Sequence, residues 1–207
     1  MIIHKNGKKK IFFIHIPRNA GRYVQQLFLK NKYETSHANY SKEHFKGGIE
    51  EAHLHYPLYD LLPIKNLPVF TIIRNPFNRI KKSLAQQLIS DETQLEFPLK
   101  EEHLYSYIED HRKYASYHNN WYRPQYEFLS SNTKLWKFEW GFKEPFCNWL
   151  NATFNLNIGF EKINLDYDKF SLDNLCIPSH IEKYLEDFSP FVKKYYYRDY
   201  ELWSRIK

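Results

Sequence analysis

The 207-residue chain has little that staples, anchors or punctuates: two cysteines, one methionine and six glycines. Cys147 and Cys176 give no disulfide framework and no zinc pattern, so both are expected as buried free thiols. No apolar run approaches the ~20 residues that span a bilayer. The N-terminal stretch "MIIHKNGKKK" has no apolar segment of signal length, so a reducing, cytoplasmic setting is expected. Asn151-Ala152-Thr153 fits a glycosylation acceptor, but such triplets are common by chance. There is no internal repeat, low-complexity tract or Pro/Ser linker, which leaves one domain over residues 1–207. Also missing is a Gly-rich phosphate loop ending in Gly-Lys-Ser/Thr, which argues against an ordinary nucleoside-triphosphate site.

What is present is apolar, aromatic and basic. Apolar residues make up 43% and aromatics 18%, enough for a real core and too many for a disordered chain. The net charge is +6, which suits an anionic partner. The cations gather at Lys8–Lys10, Arg18–Arg22 and Arg74–Lys82.

The apolar patterning predicts an α/β protein. Ile11–Ile16 and Val69–Arg74 read as buried strands and Lys134–Glu139 as a third, with Ile49–Leu54 a short candidate. Helical spacing predicts helices over Arg22–Lys30, Phe77–Ile89, Glu101–Lys113, Phe142–Phe154, Ile181–Leu185 and Phe191–Trp203, with a brief one at Pro57–Leu62. Strands alternating with helices imply right-handed crossovers and a central parallel sheet flanked by helices. Ligands of such sheets sit beyond the carboxyl ends of the strands. Two of the basic clusters fall there.

The first is "HIPRNAGR". A helix N-terminus presents N–H groups and partial positive charge to an anion. Gly21 would let the backbone approach closely, and Arg18 could reach the same anion. The second is "TIIRNPFNRIKKSL". Arg74 ends a strand, while Arg79 and Ser83 lie four apart and share a helix face. Arginine grips phosphate with a forked pair of donors. Each turn taken alone is also compatible with an ordinary wet surface.

In order and separation, the two turns resemble those of the PAPS-dependent sulfotransferases, which use 3′-phosphoadenosine 5′-phosphosulfate (PAPS). The likeness is to the branch of carbohydrate and uronyl 2-O-sulfotransferases. That branch has a Phe-x-His-x-Pro-Lys-Thr loop for the 5′-phosphosulfate and an Arg-Asp/Asn-Pro-x-x-Arg stretch with a following serine for the 3′-phosphate. "FIHIPRNAGR" and "IIRNPFNRIKKS" match them loosely. "HNNWYRPQYEFL", "KLWKFEWGFKEPFCNWL" and "YYYRDYELW" resemble later segments, so the likeness runs along nearly the whole chain. It implies a P-loop-like sulfotransferase fold and transfer of a sulfuryl group from PAPS to a hydroxyl, with a carbohydrate favoured as acceptor, without a metal. Adenosine 3′,5′-bisphosphate (PAP) would be released. Arg18 with the backbone of Asn19, Ala20, Gly21, Arg22 and Tyr23 would hold the 5′-phosphosulfate. Arg74 and Ser83 would hold the 3′-phosphate, with Arg79 supporting. The family's lysine is Arg18 here, and its threonines are Asn19 and Arg22.

Sulfuryl transfer also needs a base for the acceptor's proton. "EEAHLHYPLY" resembles a Gly-His-Val-Ser-Tyr stretch whose histidine is the base, and His53 takes that place. His55 would point the same way along an extended segment and is a second candidate; Glu50 or Glu51 is a third. Histidine titrates near neutrality, which suits the task. His103, His111 and His118 lack metal-ligand spacing. Rival readings are a basic nucleic-acid-binding module, a nucleotide kinase-like enzyme, and a relative that binds PAP without transferring anything. No nucleic-acid motif is present, so nucleic acid is not the expected partner.

Overall fold

A computed structural model describes residues 1–38, 51–56, 58–89, 102, 105–106, 109, 120–160 and 186–207. Five strands form one sheet in the order β3-β1-β2-β4-β5. These are β1 (Ile2–Lys5), β2 (Lys8–Ile14), β3 (Glu34–Ser36), β4 (Val69–Ile73) and β5 (Lys134–Lys137). β2, β4 and β5 are parallel, with Phe13 opposite Phe70 and Thr71 opposite Leu135. β1 runs antiparallel to both β2 and β3. The sheet is therefore mixed, where a parallel one was expected. The cause is a hairpin at Asn6-Gly7, whose φ angles of 52° and 70° are both positive. Asn-Gly is the pair that best tolerates such a turn, and that turn matches the twist of the strands it joins.

Five α-helices occur among the described residues: α1 (Gly21–Lys30), α2 (Pro76–Ile89), α3 (Glu144–Phe154), α4 (Ser189–Tyr195) and α5 (Tyr197–Arg205). Alternation along β2 divides the core between the two faces of the sheet. Ile11 and Phe13 join Phe70 and Ile72 against Val24, Leu27 and Phe28 of α1 and Phe146 and Leu150 of α3. Phe12, Ile14 and Ile16 face the other way, onto Leu54, Tyr59, Leu62 and Phe128. Each such buried side chain contributes about 1.5–3 kcal/mol. A third cluster packs Ile80 and Leu84 of α2 against Tyr122, Val192 and Tyr196.

Several boundaries differ from expectation. Glu51–His53 is a 3-10 turn rather than part of a strand. Ala52, His53 and Leu54 are all buried, and a strand with one solvated face would alternate. The third strand stops at Lys137, and Phe138–Trp140 forms another 3-10 turn. The last aromatic helix is two, broken at Tyr196, whose hydroxyl donates to the Tyr122 carbonyl. α4 and α5 both pack on α2, and Leu202 and Trp203 of α5 reach the core beside β2. The expected helix over Glu101–Lys113 lies mostly outside the described residues, and that over Ile181–Leu185 wholly so.

Candidate functional site

The parallel strands β2 and β4 both deliver the chain to one sheet edge. There β2 runs into the turn from His15 to Ala20, and α1 starts at Gly21. Arg18 and Ala20 have φ of 69° and 61°, left-handed values that cost a non-glycine residue roughly 1 kcal/mol or more. Strain of this kind persists where surrounding contacts over-determine it. No side chain caps α1 and no acidic residue lies in its first turn. The N–H groups of a helix's first turn point out of its end, where they favour negative charge. Arg18 stands with its guanidinium 4.5 Å from the centre of the Trp121 ring, and Arg22 is exposed on the first turn of α1.

The second turn follows β4. Asn75 accepts from the N–H of Asn78 through Oδ1, an N-cap for α2, and Pro76 occupies the first helical position. Arg74 is half-buried, its guanidinium 4.1 Å from the centre of the Phe138 ring. Its Nη1 donates to the backbone carbonyl of Arg18 over 3.0 Å, so the two basic turns touch. A buried amide locks them further. Gln125 Oε1 accepts from Asn19 Nδ2 at 2.7 Å and from the Arg74 N–H at 3.0 Å, while its Nε2 donates to the Arg74 carbonyl at 2.8 Å. Gln125 is itself held from below: Asp199 of α5 accepts from the N–H groups of Gln125 and Tyr126. Burial raises the Asp199 carboxyl to about 6, against the pull of those two N–H groups and of Arg79.

Arg79 and Ser83 lie beneath this edge and are wholly buried. Arg79 donates through Nε to the Pro17 carbonyl and through Nη2 to the carbonyls of Asn120 and Trp121. Ser83 donates to the Arg79 and Trp121 carbonyls. Four residues apart, the two share the inward face of α2, and their polar atoms bind the fold from within. Arg79 Nη1 and Asn19 Oδ1 are buried and have no hydrogen-bond partner among the described residues.

The histidines sit on the same side. His53 packs edge-on against His15, ring centres 4.6 Å apart. Burial drives His53 down to about 3, and the charges of Arg18 and Arg22 add to it. The contact with His15 sets the imidazole beside the first turn. Burial likewise holds His15 well below its ordinary range, helped by His53, Arg18 and Arg22. His55 is half-buried, and burial plus Arg123 lower it to about 4. Within the 3-10 turn and the bend after it, His53 and His55 do not share one face: His55 contacts Asn120 and Phe128.

Of the residues expected at the site, Arg18, Asn19, Ala20, Gly21, Arg22, Tyr23 and Arg74 line the two joined turns, and His53 adjoins them. Glu51, a candidate base, instead pairs with His37. Glu50, His103, His111 and His118 lie outside the described residues. Gly21 has a different use from the one expected. A Cβ there would lie 1.9 Å from the His15 ring, so the missing side chain admits His15 rather than a ligand. Glu139 accepts from the Asn75 N–H and from Trp203 Nε1, tying the second turn to α5. Tyr23 serves with its side chain, donating to the Phe142 carbonyl. Sequence reasoning missed His15, Asn120, Gln125 and Asp199. The motif strings held a signal, since all four lie in segments that resemble a family, but nothing local foretold that they meet.

The five motif segments thus converge on one hydrogen-bonded edge. No family profile matches the chain, and no solved structure matches it. Among curated proteins it is similar to the protein-tyrosine sulfotransferase of Arabidopsis thaliana, 35% identical over 81 residues. The match covers 35% of this chain and 16% of that protein's length. This supports a distant sulfotransferase relationship at most. Among the described residues no group of three or more His, Cys, Asp or Glu side chains suits a metal ion. No helix among them is long and apolar enough to cross a membrane.

Proposed function

We propose that the chain is a single-domain sulfotransferase of P-loop-like fold, which moves a sulfuryl group from PAPS to an acceptor hydroxyl and releases PAP. The observation that carries this reading is the contact between the turns: Arg74 donates to the Arg18 carbonyl, and Gln125 binds both Asn19 and Arg74. Two cationic turns fixed side by side suit a nucleotide with phosphate at both ends.

The donor set fits such a ligand. It consists of arginines and a helix N-terminus with no first-turn carboxylate. Arg18 and the backbone of residues 19–23 take the 5′-phosphosulfate in this reading, and Arg74 takes the 3′-phosphate. Arg79 and Ser83 support the pocket from beneath. In the reaction the acceptor oxygen forms a bond to sulfur while the bond from sulfur to the 5′-phosphate oxygen breaks. Arg18 stabilises the charge that develops on that oxygen. His53 takes the acceptor's proton. Free His53 is a weak base chiefly because it is buried, and the charges of Arg18 and Arg22 lower it further. A bound phosphosulfate offsets the arginine part, so His53 becomes a stronger base when the donor is in place, while burial still holds it down.

The motif likeness favours a carbohydrate hydroxyl as acceptor, and the partial likeness to a protein-tyrosine sulfotransferase sets a tyrosine phenol beside it. Thermal-shift measurements with PAP, PAPS, ATP and ATP–magnesium test the donor. The expected result is a selective, magnesium-independent shift with PAP and PAPS. A response to ATP–magnesium alone points to a kinase-like enzyme instead. Transfer from labelled PAPS to heparan-type saccharides and to acidic tyrosine peptides then separates the two acceptors.

A further inference from the structure

Asn120 is fully buried, with a left-handed φ of 64°. Asparagine is among the few residues that adopt this conformation readily. Its side-chain amide has only one orientation compatible with its neighbours. Nδ2 lies 2.8 Å from the His53 carbonyl, which can only accept. Oδ1 lies 3.0 Å from Arg123 Nε, which can only donate, and Arg123 is fixed by its pair with Glu127. The second N–H of Nδ2 therefore faces His55 Nδ1 at 3.2 Å. A nitrogen that accepts from an amide N–H carries no proton of its own. A neutral imidazole with a bare Nδ1 holds its proton on Nε2.

We infer that Asn120 is a positioning residue that locks His55 as a neutral ring, proton on Nε2. His55 then has no nitrogen left to take up the acceptor's proton. Nδ1 is occupied by Asn120, and Nε2 already bears hydrogen and can only donate to an oxygen. Of the two histidines, the base role falls to His53, whose backbone carbonyl the same amide holds. Burial and the Arg123 charge disfavour a second proton on His55 and reinforce the lock. The division of labour rests on the proposed transfer reaction; the lock itself does not.

Two-bond proton–nitrogen correlation spectra of the 15N-labelled full chain read the lock without donor or acceptor. His55 is assigned by the signals lost in His55→Gln. The expected pattern at pH 7 is an unprotonated Nδ1 and a protonated Nε2. In Asn120→Gly, which keeps the left-handed backbone and removes the amide, the ring should exchange between tautomers. A proton on Nδ1 in the wild-type chain overturns the inference, whatever the variant does. In transfer assays His53→Gln should lose at least ~100-fold in kcat, the usual scale for a general base. His55→Gln should stay within about tenfold and keep the wild-type pH profile. The reverse ranking overturns the assignment of roles. An intact lock in a protein that transfers nothing would sink the proposed reaction and leave the lock standing.

Discussion

Arg74 and Arg18 belong to different crossovers, 56 residues apart in sequence, yet the guanidinium of one donates to the carbonyl of the other over 3.0 Å. Two cationic turns have no electrostatic reason to gather. They meet because parallel β2 and β4 end at the same edge and because Gln125 bonds to both turns. The concentration of charge is a property of the topology, and it is what an anion with two separated charged groups would use.

Arg74→Ala removes the tie to Arg18 and one candidate phosphate ligand together. Hydrogen bonds to charged groups contribute about 1.5–3 kcal/mol. PAP affinity should fall by at least ~10-fold, while the fold survives, since Arg74 is only half-buried. Calorimetric titration beside a far-ultraviolet spectrum checks both; unchanged affinity would remove Arg74 from the site.

Gln125→Ala removes three buried hydrogen bonds, one from Asn19 Nδ2 and two to the Arg74 backbone, while Asn19 Nδ2 keeps the Ile72 carbonyl. At about 1 kcal/mol for each bond lost, urea denaturation should show a loss of about 3 kcal/mol. Gln125→Glu keeps the shape but cannot donate to the Arg74 carbonyl, and it should weaken PAP binding even where the protein remains folded.

Gly21→Ala should be strongly destabilising, because its new methyl would occupy the space of the His15 ring. The double variant His15→Ala with Gly21→Ala makes room and should recover much of the loss. If the second change brings no recovery, His15 is not what requires glycine there.

The histidines set an acid limit. In the unfolded chain His53 takes a proton near 6.5, while in the fold it holds out to about 3. The unfolded state therefore binds more protons between those values, and stability falls as pH drops below 6.5. At pH 5 the His53 contribution is about 2 kcal/mol. Asp199, raised from 3.8 to about 6, works the other way: the folded state holds its proton longer, which offsets part of the loss between those values. Urea midpoints should decline from pH 7 to pH 5, and less steeply in His53→Gln. A parallel decline in both proteins would mean that His53 is not neutral in the fold.

Much of this was legible in the sequence. The apolar runs at Ile11 and Val69 gave the two central strands, and Asn75-Pro76 marked the start of α2 because proline fits the first helical turn. The β1–β2 hairpin was missed although Asn6-Gly7 marks its turn, because the apolar run at Met1–Ile3 is too short to stand out as a strand by itself. The basic turns were visible as clusters of charge next to strand ends. Gln125, Asn120 and His15 were not, since nothing in their neighbours' periodicity predicts a buried polar side chain. Their burial exists only once three distant segments supply its hydrogen bonds. Arg79 and Ser83 were seen as a pair on one helix face, but which face turns inward is decided by Trp121 and Pro17, far away in sequence.

The central claim is that both turns hold one nucleotide. Calorimetric titration of the wild-type chain with adenosine 3′,5′-bisphosphate, adenosine 3′-monophosphate and adenosine 5′-monophosphate tests it most directly. The account predicts one site at which the bisphosphate binds at least ~10-fold tighter than either monophosphate, a gap of about 1.4 kcal/mol or more. Equal affinity for the bisphosphate and one monophosphate, or no binding of any of the three, would contradict it.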